Sequence, residues 1–185
     1  MLDTAPKNKN NTISKNQLTA SKVKKKKVIF LCTGNICRSP IGEALLKHAV
    51  EGRPKTSLLR NLEIVSAGTS AVDGMPASAN SVSALVRVGI DISEYRATSL
   101  TQKMLDDCYA IFAMTRSHLD EVKNFYRNAP ARMFTVRQMI PNCPSPDVPD
   151  PYGGNLTEYI EVRDIIAEAI PHIVKYLEHE LKKDS

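Results

Sequence analysis

The chain has 185 residues, with 25 Lys and Arg against 20 Asp and Glu and a formal net charge of +5. That length suits one domain able to bury roughly 70% of its unfolded surface, and 42% hydrophobic with 24% charged residues is ordinary globular composition. No apolar run approaches the ~18 residues of a membrane span, four Cys are too few for a disulfide scaffold and fit a reducing, cytoplasmic setting, and 5% aromatic residues without Trp give no base-stacking surface for nucleic acid.

The charge is unevenly placed. Residues 1–27 hold eight Lys and one acid, Asp3, a net of +7, whereas residues 28–185 hold 17 basic and 19 acidic residues, a net of −2. The first 27 residues are polar and lack apolar periodicity, so they read as a disordered basic tail. They contain no apolar segment of a secretory signal. Such a tail is a solvated extension, or a basic arm for an acidic partner or an anionic membrane surface. The folded domain is expected over 28–185.

Val28-Ile29-Phe30-Leu31 is an unbroken apolar run that suits a strand buried on both faces. A loop from Cys32 to Arg38 follows. Ser39-Pro40-Ile41-Gly42-Glu43 then opens a helix to about Val50, with Ser39 as N-cap, Pro40 at the first helical position and Glu43 in the first turn. Leu62–Ser66 reads as a second strand, and 77–88 as a helix with Val82, Leu85 and Val86 on its inner face and Gly89 as stop. Tyr109–Met114 reads as a third strand, 116–126 as a helix and Met133–Val136 as a fourth strand. The segment 141–154 has five Pro and two Gly and reads as a restricted loop. After Asn155 a helical period runs through Leu156, Ile160, Ile166, Ile170, Ile173, Leu177 and Leu181, with a kink or break expected at Pro171. Strands alternating with helices imply parallel pairing in a layered α/β domain.

The chemistry concentrates in Cys32-Thr33-Gly34-Asn35-Ile36-Cys37-Arg38-Ser39, between a buried strand and a helix. Open α/β sheets bind ligands at the carboxyl ends of their strands. Five residues separate Cys32 from Arg38, enough for a curl whose backbone N–H groups point inward, and Gly34 and Asn35 tolerate the positive φ such a curl needs. The result is an anion nest on a helix N-terminus. The amides, the helix dipole and Arg38 stabilise the thiolate of Cys32, and Ser39 can donate to it. Arg38 offers a planar fork for two phosphate oxygens. A metal pair of Cys32 and Cys37 has no further ligands nearby, and no Gly-Lys-Ser/Thr marks a nucleotide loop. A proton donor is still needed for the leaving oxygen. Asp150 and Asp147, both in the Pro-rich loop, are the candidates, and spacing does not separate them.

CTGNICRS resembles the phosphate loop of low-molecular-weight protein tyrosine phosphatases: Cys, five residues, Arg, then Ser or Thr. VSAG at Val65–Gly68, AMT at Ala113–Thr115 and DPYGG at Asp150–Gly154 resemble the family in the same order, over about residues 28–182. The resemblance implies a three-layer fold: a four-stranded parallel sheet of order 2-1-3-4, helices on both faces, and the phosphate loop after the first strand. It implies Cys32 as the nucleophile that forms a phosphocysteine, Arg38 as phosphate clamp and Asp150, rather than Asp147, as general acid and base. Thr33, Gly34, Asn35, Ile36, Cys37 and Ser39 line the substrate loop, Asn35, Ser39 and Ser66 hold its shape, and Tyr152 sits on the rim. No metal or other cofactor is implied; the substrate is a phosphorylated protein or peptide and inorganic phosphate is a product. Tyr95 stands where many bacterial members have a supporting His. Ile36 is the form of tyrosine-specific members, whereas a sister group that hydrolyses phosphoarginine has Thr there and a similar Gly-Gly pair.

Cys37 is a candidate redox partner for Cys32, since a curled loop can bring their Cα atoms within the ~4.4–6.8 Å that a disulfide needs. The expected activity is therefore hydrolysis of phosphotyrosine, with arginine phosphatase as the alternative. An arsenate reductase needs relay cysteines that Cys108 does not supply, and a silent phosphate-binding module fits poorly with Cys32, Arg38 and Asp150 all present.

Overall fold

The computed structural model describes residues 26–185. Four strands form one parallel sheet: β1 (Lys26–Cys32), β2 (Leu62–Gly68), β3 (Cys108–Ala113) and β4 (Met133–Thr135), in the order β2-β1-β3-β4. The helices are α1 (Arg38–Glu51), α2 (Ala79–Val86), α3 (Gln102–Asp106), α4 (Arg116–Phe125) and α5 (Leu156–Lys183).

The central strand shows why the layers form. Side chains of a strand alternate between faces. Val28, Phe30 and Cys32 join a core with residues of α1 and α5, among them Ile41, Leu46, Ile166 and Ile173. Ile29 and Leu31 join a second core with Leu105 of α3 and Leu119 and Val122 of α4. Both faces of β1 are covered, so a continuous apolar run is the pattern it needs.

Several boundaries differ from the sequence reading. β1 begins at Lys26, two residues before the expected domain start, because Lys26 and Lys27 pair with Leu62 and Glu63 of β2 and their ammonium groups find acids at the amino end of the sheet. The Lys27 ammonium is 2.7 Å from Glu63 and the Lys26 ammonium 3.4 Å from Asp184. The rest of the expected tail, residues 1–25, lies outside the described residues. α1 begins at Arg38 with Cys37 as its N-cap, not at Ser39. Pro40 is thus the third helical residue, where its missing N–H costs nothing because the first four helical amides have no partner within the helix. α2 is shorter than 77–88, and Val86 is exposed rather than inward and Val82 only half-buried; Ser81, Ala84 and Leu85 face the core. The short α3, capped by Thr101 on Met104 N, went unread. α5 runs unbroken through Pro171. Pro171 lies on the solvent side while Ile170, Ile173 and Val174 are buried, so packing on both sides of it holds one helix across the lost hydrogen bond.

Candidate active site

The loop between β1 and α1 leaves the carboxyl end of the central strand. Asn35 takes the positive φ of its curl, +55°. Gly34, expected to share that role, does not have positive φ; Asn bears the left-handed turn because its side chain is fully bonded there. Asn35 Nδ2 donates to Ser39 Oγ at 2.8 Å and to Ser66 Oγ at 3.1 Å. Its Oδ1 accepts from Thr98 N and Tyr95 Oη, both at 2.7 Å. Asn35 is fully buried, so every one of these bonds replaces a water the group has lost. Gly68, at the end of β2, lets the loop sit this close: a Cβ there would collide with the Thr33 carbonyl and the Ala71 side chain.

Cys32 Sγ lies at the base of the curl, 2.9 Å from Ser39 Oγ, and receives the Asn35 N–H at 3.3 Å. No side chain caps α1, which leaves its first amides for an anion. Arg38 is 5% exposed. It donates through one terminal nitrogen to the Val148 carbonyl at 3.3 Å and through the other to Asp150 Oδ2 at 2.6 Å. Its Nε is buried and has no partner among the described residues. That leaves one N–H of the fork for a further acceptor.

The Pro-rich loop is anchored where it matters. Val148, 1% exposed, donates its N–H to the Met114 carbonyl at 2.7 Å, extending the end of β3. Two residues on, Asp150 faces Arg38. Asp147 is committed elsewhere: its Oδ1 accepts the Arg116 N–H at 2.9 Å, at the start of α4. A turn from Pro151 to Gly154, with Gly153 at φ +80°, presents Tyr152 outward, 75% exposed.

The remaining residues read from the sequence fall around this centre. Ser66 Oγ donates to Glu43 Oε2 at 2.5 Å and is 2.7 Å from Tyr95 Oη. Tyr95 therefore reaches the loop, and burial raises its phenol above the ordinary value. Thr33 is exposed, and Ile36 is half-buried against Cys37, Ala84 and Tyr159. Cys37 is buried with its sulfur 3.3 Å from Tyr159 Oη; burial pushes its thiol up. Both Cys32 and Cys37 are free thiols. Sequence reasoning missed Glu43, Thr98, Val148 and His118. Of these only His118 left a signal, as a His three residues after Thr115, one helical turn along.

Sheet order, loop and the Cys–Arg–Asp constellation together define a cysteine-dependent phosphatase on a three-layer α/β fold. The family model for low molecular weight phosphotyrosine protein phosphatase matches residues 27–184, and the chain belongs to that family. It is 30% identical over 145 residues to a probable low molecular weight protein-tyrosine-phosphatase, EpsP, of Ralstonia nicotianae, covering 78% of this chain and 91% of that protein. The structure of the YwlE arginine phosphatase from Geobacillus stearothermophilus superposes with a TM-score of 0.74 at 29% identity, over 86% of this chain and 97% of that one. A Cys-to-Ser variant of a YwlE arginine phosphatase, with a phosphorylated active-site serine, superposes with a TM-score of 0.72 at 29% identity, over 82% of this chain and 95% of that one. Among the described residues no helix is long and apolar enough to cross a membrane.

Proposed function

We propose that this enzyme hydrolyses phosphotyrosine in proteins or peptides through a phosphocysteine intermediate. The observation that carries the reading is the buried Arg38 fork, its Nε without a partner among the described residues, and a Cys32 sulfur that receives a loop amide and lies 2.9 Å from the Ser39 hydroxyl. The Cys32 thiolate attacks phosphorus from within the nest, and the P–O bond to the leaving group breaks. Asp150 gives its proton to the leaving oxygen. In the second step Asp150 takes a proton from water as that oxygen attacks phosphorus, the P–S bond breaks, and inorganic phosphate and the thiolate are released. A phosphoryl group on Arg38 competes with the Arg38–Asp150 pair and frees the carboxyl to face the leaving oxygen. The YwlE variant with a phosphorylated active-site serine supports covalent transfer to the residue at the position of Cys32. The free thiols suit the cytoplasm, and recovery of the activity in a soluble cytoplasmic cell fraction tests that placement.

Ile36 decides the preference. It packs on the cluster of Cys37, Ala84 and Tyr159 at the side of the loop. A phenyl ring against it excludes water and contributes roughly 1–2 kcal/mol. A guanidinium there leaves N–H donors unpaired at a cost of about 1–3 kcal/mol. The second reading, an arginine phosphatase, is favoured by the likeness to the YwlE arginine phosphatase. Initial rates on matched phosphotyrosine and phosphoarginine peptides separate the two. Wild type is expected to prefer phosphotyrosine at least tenfold, and Ile36→Thr to shift the ratio toward phosphoarginine. Equal wild-type rates, or a ratio unmoved by the substitution, give the second reading first place.

A further inference from the structure

His118 is 3% exposed on the first turn of α4. Its Nε2 is 2.9 Å from the hydroxyl of Thr33, the residue after the nucleophile, and its Nδ1 is 2.7 Å from the hydroxyl of Thr115. The same short stretch holds the other half of the site: Met114 O accepts Val148 N, and Arg116 N donates to Asp147. Residues 114–118 thus bond to the loop that carries Cys32 and Arg38 and to the loop that carries Asp150. We propose that His118 is a positioning residue that pins Thr33 and so sets the phosphate loop against the acid loop.

The clamp works with an uncharged ring. Neutral imidazole has one donor and one acceptor nitrogen, so one threonine hydroxyl donates to the ring and the other accepts from it. The cation has two donors, and the threonine that donated must turn its proton away. Burial first, and then the Arg38 guanidinium, lower the His118 pKa; Glu121 of its own helix and Asp150 and Asp147 of the acid loop oppose them. The clamp is therefore intact above that lowered value and is lost as pH falls through it.

The inference rests on the phosphatase reading, and its test separates the two. Turnover of p-nitrophenyl phosphate and inhibition by inorganic phosphate are measured against pH for wild type, His118→Ala, His118→Gln, Thr33→Val and the double variant His118→Ala/Thr33→Val. His118→Ala and Thr33→Val are each expected to lower kcat/KM and weaken phosphate binding about tenfold. The double variant is expected to lose about the same tenfold rather than a hundredfold, since both changes remove one bond. Gln, with one donor and one acceptor, is expected to recover most of the loss and to lack the part of the acid limb that belongs to His118. If His118→Ala cannot be isolated folded, Thr33→Val and His118→Gln still read the bond and the limb. Losses that multiply, or a Gln variant with wild-type acid behaviour, overturn the clamp. Wild type without turnover overturns the phosphatase reading instead, and phosphate affinity by calorimetry on the same variants then decides the clamp alone.

Discussion

The two ends of the sheet use polar groups in opposite ways. At the carboxyl end, Asn35, Ser39, Ser66 and Arg38 are buried, and their bonds hold a backbone curl that the chain would not otherwise adopt. At the amino end, Arg132 bridges Glu180 and Asp184 at 3.2 Å each and sits 4.5 Å from the Tyr109 ring, with Lys26 4.7 Å from the same ring. These charges are partly wet and close the amino end of the sheet as ion pairs between side chains. Polar groups that have lost water entirely act with high stakes on shape, and half-solvated ion pairs act weakly on stability. Changes at the first end should be felt in turnover, and changes at the second in melting alone.

The largest effect is expected at the centre of the first end. Cys32→Ser should abolish turnover of p-nitrophenyl phosphate while vanadate affinity stays within a few-fold, because the amides and Arg38 remain and a serine, even where it takes up the phosphoryl group, is too poor a leaving group to pass it on to water. Measurable turnover by the variant breaks the comparison at its root. Asp150→Ala is expected to slow kcat about 10²–10³-fold. The loss should shrink on esters with very acidic leaving groups, which depart without a proton. A leaving-group series that shows this pattern for Asp147→Ala instead would transfer the acid's role.

Tyr95→Phe sharpens the contrast, since it touches no substrate. Removing its hydroxyl deprives buried Asn35 Oδ1 of one donor and Ser66 of a neighbour. Oδ1 keeps the Thr98 N–H, so the cost is that of one lost hydrogen bond, about 0.5–1.5 kcal/mol. Part of it is expected to appear as a loss in kcat/KM of about threefold, and part as a lower Tm. A full Tm loss with unchanged kcat/KM would make the network a packing element rather than a support of the loop.

The sequence made the strand pattern and the nucleophile loop readable because both are local. The apolar run at 28–31 needs only its neighbours to be a buried strand, and Cys32 to Ser39 carry the proposed nucleophile, the curl and the proposed clamp within eight residues. The preference for Asp150 over Asp147 was not local: from spacing alone the two were equal, the family resemblance favoured Asp150, and the Arg116 N–H bond to Asp147 and the Arg38 contact of Asp150 support that reading. His118 and Glu43 were hidden for the same reason, as each acts on a residue distant in the chain, 85 positions away for His118 and 23 for Glu43. Of the kink or break expected at Pro171, the break is absent because a local rule met packing on both sides of the proline, and β1 starts two residues ahead of Val28 because Lys26 and Lys27 pair with β2 and with acids at the amino end of the sheet.

The smallest effect is expected at the amino end. Arg132→Ala removes both bridges and one cation–ring contact but leaves Glu180 beside Lys183 and Asp184 beside Tyr109 and Lys26. A fall in Tm of about 2–4 °C is expected at neutral pH, with kcat/KM unchanged. The pH dependence has a definite sign. The hydrogen bond from Tyr109, and then Arg132 and Lys26, hold the Asp184 carboxyl below its usual value. Lys183 first, and Arg132 after it, do the same for Glu180. A carboxyl with a lowered folded pKa stabilises the protein above its unfolded value, about 4 for these groups, and that contribution is lost as pH falls through the lowered folded value. The Tm gap between wild type and Arg132→Ala should therefore be full near pH 7, narrow below about pH 4, and shrink in high salt, which screens partly solvated charges. A gap that persists in acid and in salt would mean that the Arg132 side chain acts through packing against Tyr109, and a fall in kcat/KM would mean that the two ends of the sheet are not independent.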